Sequence, residues 1–66
     1  MNYKDARYVV AMIQHNGKIG AYYYFNEPYF SENMKNFILD DFAFTEDWKC
    51  AEVLDTFTNQ KIILYY

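Results

Sequence analysis

The sequence predicts a small α+β domain in which one helix packs on an antiparallel sheet, in ββαββ order. Three observations predict it. Asn16-Gly17 separates two runs rich in Val, Ile, Tyr and Phe; apolar residues recur at helical spacing from Met34 to Phe42; and a second strand-rich block closes the chain. Residues 1–66 read as a single domain, because no linker, repeat or shift in composition divides them.

The first hairpin rests on Asn16-Gly17. Flanked by Arg7–Gln14 and Ile19–Asn26, this dipeptide suits the two positive-φ positions of a two-residue type I′ turn. That turn sets a register. His15 faces Lys18, Met12 faces Ala21, Val10 faces Tyr23 and Tyr8 faces Phe25, with Gln14 and Ile19 on the same side. The other side holds Val9 with Tyr24, Ala11 with Tyr22 and Ile13 with Gly20. Both sides are apolar or aromatic, whereas a sheet with one wet side alternates apolar with polar. Something must cover the second face, and a symmetric homodimer through Val9, Ala11, Tyr22 and Tyr24 would do so.

Pro28 ends the second strand. Ser31 then offers an N-cap hydroxyl and Glu32 an acid in the first turn. Met34, Phe37, Ile38 and Phe42 follow at i, i+3, i+4 and i+8, one face of a helix over about residues 32–42. So short a helix needs the sheet to hold it. Trp48–Asp55 admits two readings: a helix capped by Thr45, or a strand. The segment 55–60 resembles a hairpin turn with Asn59 in the left-handed region, and Lys61–Tyr66 is strand-like in composition. A hairpin turn needs a strand before it, so 48–56 and 61–66 are expected as the third and fourth strands.

Composition bounds the function. Hydrophobic residues are 53% of the chain and aromatics 23%, too much apolar surface for a disordered tail. One cysteine permits no internal disulfide and no Cys-based zinc site. A lone thiol, no signal-peptide pattern and no apolar run of ~18 residues point to the cytoplasm and away from a membrane. The net charge is −3 and is unevenly spread. Residues 1–26 carry Lys4, Arg7 and Lys18 against Asp5. Residues 27–55 carry Glu27, Glu32, Asp40, Asp41, Glu46, Asp47, Glu52 and Asp55 against Lys35 and Lys49.

His15 beside a turn reads as a solvated residue and Cys50 in a strand as a small buried side chain, so a Cys–His nucleophile is not expected. Paired carboxylates can serve acid–base catalysis, but a chain this short leaves little room for a substrate cleft. The acids fit no EF-hand spacing, so neither metal nor cofactor is expected. Asp40 and Asp41 near a helix C-terminus oppose the macrodipole, at ~0.3–1 kcal/mol each. Local rules broken without compensation mark functional sites.

Asp40, Asp41, Phe44, Glu46, Asp47 and Trp48 therefore form the candidate partner-binding patch, carboxylates with aromatic anchors suited to a basic protein surface. The expected function is a non-enzymatic inhibitor or adaptor. Phage-made inhibitors of host nucleic-acid enzymes are often small and acidic, a likeness of size and charge only. The alternative is an aromatic sheet that stacks single-stranded bases through Tyr22–Phe25. Arg7 and Lys18 are the hairpin's only cations, which makes direct nucleic-acid binding the weaker reading.

Overall fold

The structure, a computed structural model, describes residues 6–44 and 47–65. It is an α+β domain of the expected order: β1 (Tyr8–Gln14), β2 (Ile19–Phe25), α1 (Glu32–Phe44), β3 (Trp48–Asp55) and β4 (Gln60–Tyr65). The strands form one sheet in the order β2-β1-β3-β4, with every neighbouring pair antiparallel. Trp48–Asp55 is strand, not helix, and Asn59 takes the left-handed conformation (φ 62°) that closes the β3–β4 turn.

One face of the sheet carries the core. Tyr8, Val10 and Met12 of β1 and Ala51 and Val53 of β3 are buried against Met34, Ile38 and Phe42 of α1. Ala21, Tyr23 and Phe25 from β2 and Leu64 from β4 extend this layer. The Ser31 hydroxyl accepts from the Met34 N–H at 3.3 Å, a cap at the third helical position.

The first hairpin keeps the expected register from Tyr8↔Phe25 to Met12↔Ala21, but its turn differs. Among the described residues only Gly17 (φ 84°) and Asn59 have positive φ, so Asn16 is right-handed and the type I′ turn is not formed. The Gly17 N–H instead bonds the Gln14 carbonyl (2.9 Å), and the Gln14 N–H bonds the Lys18 carbonyl (2.8 Å). This is a three-residue loop of type I geometry with glycine in the left-handed position. The Asn16 side chain favours it by accepting from the Lys18 N–H at 2.9 Å. The longer loop puts Lys18 opposite Gln14, not His15, and Ile13 opposite Ile19, not Gly20. Gly20 is the bulged residue that restores the register. Ile19 consequently lies on the face away from the helix, opposite to the expected side.

A second irregularity lies between Ile13 and Gln14 on the β3 side, where Ile13 pairs with Cys50 but Gln14 pairs with Trp48. Lys49 is the extra residue. Without it Trp48 would share the face of Cys50; the bulge turns Trp48 toward the helix side, where its ring packs on the core.

The far end of the sheet is tied by Arg7. Its Nε and Nη2 donate to the Asp55 carboxylate at 3.4 and 3.3 Å, and Nη1 donates to the Pro28 carbonyl. Its guanidinium lies 5.2 Å from the Tyr8 ring centre and 4.8 Å from that of Phe57. The Thr56 N–H donates to the Arg7 carbonyl at 2.7 Å, locking the β3–β4 turn to the start of β1. The Arg7 bond, aided by the Phe57 N–H, holds the Asp55 carboxyl below its ordinary pKa.

Candidate interaction surfaces

Two exposed surfaces stand out, on opposite sides of the sheet. The first lies at the C-terminal end of α1, where Phe37, Asp40, Asp41 and Phe44 line a shallow cleft of about 290 Å³. The spacing of Phe37 with Met34, Ile38 and Phe42 predicts a core position. Phe37 lies instead at the border of the helix, 47% exposed, with its ring edge-on to Tyr23 (5.0 Å) and Phe25 (5.4 Å). Those two rings of the edge strand β2 pack against the core themselves, so Phe37 contacts its border. Phe44 is 88% exposed.

The two aspartates differ. Asp41 accepts a hydrogen bond from the Tyr23 hydroxyl at 2.9 Å, which supplies the compensation the sequence does not display. That bond, with partial burial, raises the Tyr23 pKa, because ionising the phenol would put two anions side by side. Asp40 is exposed and makes no hydrogen bond or ion pair with the described residues, and the last helical turn contains no basic residue.

The candidate patch therefore divides. Asp40, Asp41 and Phe44 share one cleft. Asp47 lies elsewhere, in a hollow beside the hairpin turn lined by Gln14, His15 and Asn16. Trp48 faces inward, and its buried indole N–H has no hydrogen-bond partner among the described residues. Glu46 lies outside the described residues. Phe37 is the member sequence reasoning missed, since its i, i+3 spacing fits the core equally well.

The second surface is the sheet face away from α1. The registers place Ile19, Tyr22 and Tyr24 of β2 there, beside Val9, Ala11 and Ile13 of β1. Cys50, Glu52 and Leu54 of β3 and Lys61, Ile63 and Tyr65 of β4 complete it. No element of the described chain covers it. Tyr22, Tyr24, Ile19, Ile63 and Tyr65 are exposed, and Cys50 is buried among its neighbours. The Tyr22 and Tyr24 rings lie nearly parallel, 11° apart with centres 6.4 Å from one another. Beside them is a hollow of about 200 Å³, with Ala11 and Leu54 in its lining. Lys61 pairs with Glu52 at 3.5 Å. The four expected interface residues, Val9, Ala11, Tyr22 and Tyr24, all belong to this face. Its β3 and β4 members could not be placed without the strand order.

His15 is exposed in the turn, whereas Cys50 is buried in β3. Among the described residues no three His, Cys, Asp or Glu side chains come together as a metal site, and no helix is long and apolar enough to cross a membrane. Comparison with protein-family models, with curated proteins and with solved structures returns no match.

Proposed function

We propose that this chain is a non-enzymatic protein-binding module, an inhibitor or adaptor, that docks the C-terminal end of α1 on a basic surface of another protein. The observation that carries the reading is Phe44: a phenylalanine 88% exposed beside the exposed Asp40, with Phe37 half-exposed across the cleft. Apolar anchors ringed by carboxylates give a partner both burial and charge complementarity. Asp41 acts as the fixed member of the pair, held by Tyr23, while Asp40 is free to meet a cation. A reducing compartment such as the cytoplasm suits the unpaired, buried thiol of Cys50.

The test is affinity capture from lysate of the cells that express the protein, using the wild type and the variants Asp40→Lys and Phe44→Ser. A basic partner held by the wild type and lost by both variants supports the reading. Equal capture by all three overturns it. Far-UV circular dichroism of the variants separates loss of binding from loss of fold.

The stacked Tyr22 and Tyr24 rings favour one second reading, a platform for single-stranded nucleic acid. It is weaker because Lys61, the one cation on that face among the described residues, is paired with Glu52. Anisotropy of a labelled oligonucleotide at low salt decides it: unchanged anisotropy at high micromolar protein removes this use of the face.

A further inference from the structure

We propose that a second copy of this chain covers the open sheet face, the two sheets packing face to face about a two-fold axis. The inference concerns a different surface from the end of α1 and does not depend on the function proposed for it.

Size is the first argument. Four strands about 4.8 Å apart, each about seven residues long at ~3.4 Å per residue, make a face of roughly 19 by 24 Å. Two such faces brought together withdraw on the order of 1,000 Å² of surface, and side-chain relief takes the accessible figure higher, into the range of specific interfaces.

Shape is the second. A two-fold interface presents the same patch twice, so a projection on one copy must find a hollow on that same patch of the other. This face has both. The stacked Tyr22 and Tyr24 rings are exposed on β2, and Tyr22 forms one wall of a hollow that extends across Ala11 of β1 to Leu54 of β3. Ala11 is directly opposite Tyr22 in the register, and its small side chain leaves the room that a ring from the facing copy would fill.

Charge is the third. The chain carries −3, yet among the described residues this face holds one acid and one base, Glu52 and Lys61. Two copies therefore meet there without net repulsion. Glu52 sits on a central strand and Lys61 on the edge strand beside it, so a two-fold axis passing between the two side chains lets each carboxylate serve the Lys61 ammonium of the facing copy.

The experiment is solution mass by light scattering across a concentration series, on the wild type, on Glu52→Lys, on Lys61→Glu and on an equal mixture of the two variants. Both side chains are solvent-accessible, so the reversals leave the fold intact. The wild type is expected at twice the 8.0 kDa chain mass. Each reversal alone gathers like charges on both faces and weakens the dimer by about tenfold or more. The mixture pairs a doubly basic face with a doubly acidic one and restores the dimer mass. A wild type that stays monomeric into the high micromolar range overturns the proposal, as does a dimer that both reversals leave unchanged. Phe44→Ser leaves the mass unaltered, which keeps this result distinct from the capture experiment.

Discussion

Replacing Gly20 with alanine tests why Trp48 is not available to a partner. A Cβ at position 20 would lie 2.6 Å from Cζ3 and 2.7 Å from Cη2 of Trp48, and 2.9 Å from Nε2 of Gln14. Optimal carbon–carbon contact is ~3.5–4.0 Å, so the indole must retreat by about 1 Å. It has little room, because it packs on the core cluster. Overpacking of this kind costs about 1–3 kcal/mol, against a gain of ~0.4–1 kcal/mol from the stiffer unfolded chain. The expected net loss is about 1–2 kcal/mol, or roughly 5–15 °C in Tm for a domain this small. Trp48 is the only tryptophan, so its fluorescence reports both the unfolding midpoint and the displaced ring in the native state. Gly17→Ala is the control. Position 17 has open space around it but φ of 84°, so alanine there strains the backbone and lowers stability without moving the Trp48 emission. A Gly20→Ala protein as stable as the wild type, with native emission unchanged, would refute the packing of Trp48 over Gly20.

Three further outcomes follow from the packing and the charges. Ile38 is fully buried, so Ile38→Ala should cost about 2–5 kcal/mol and leave the domain largely unfolded by circular dichroism, since a core of this size supplies only ~3–5 kcal/mol. Tyr23→Phe removes the donor to Asp41 and should lower stability by roughly 0.5–1.5 kcal/mol in urea unfolding, with no change of secondary structure. The Asp55 carboxyl is lowered in the fold, so its contribution is complete above the unfolded carboxyl pKa of about 3.9 and is lost as pH falls through the lower folded value. Urea midpoints measured from pH 6 downward should fall more gently in Asp55→Asn than in the wild type.

Much of this fold is legible in local signals. Asn16-Gly17 marks the hairpin, Ser31 and the spacing of Met34, Ile38 and Phe42 mark the helix, and Asn59 identifies β3 as a strand by requiring one before its turn. These are short-range features, and each agrees with the final packing. The misses are of another kind. The turn type depends on the Asn16 side chain bonding the Lys18 N–H, an option that competes with the type I′ geometry. The inward turn of Trp48 depends on a bulge at Lys49, which no periodicity reveals. The placement of β3 beside β1 depends on pairings such as Arg7 with Asp55, 48 residues apart.

The same division runs through the candidate surfaces. Two apolar sides on the first hairpin announce an uncovered face, and Val9, Ala11, Tyr22 and Tyr24 are found on it. Neither the four-strand extent of that face nor its Glu52–Lys61 pair can be read before the strand order is known. At the other surface, four carboxylates within residues 40–47 look like one patch along the chain. In space Asp47 parts from Asp40 and Asp41: those two lie near the end of α1, whereas Asp47 lies beside the hairpin turn.

The most direct test of the proposed self-association through the open sheet face is a dilution series of amide NMR spectra. The expected result is concentration-dependent shifts confined to the open face, at Val9, Ala11, Ile13, Tyr22, Tyr24, Glu52, Leu54 and Ile63, while Phe37, Asp40 and Phe44 stay fixed and available to a partner. Spectra that do not change with concentration, or changes centred on α1, would contradict it.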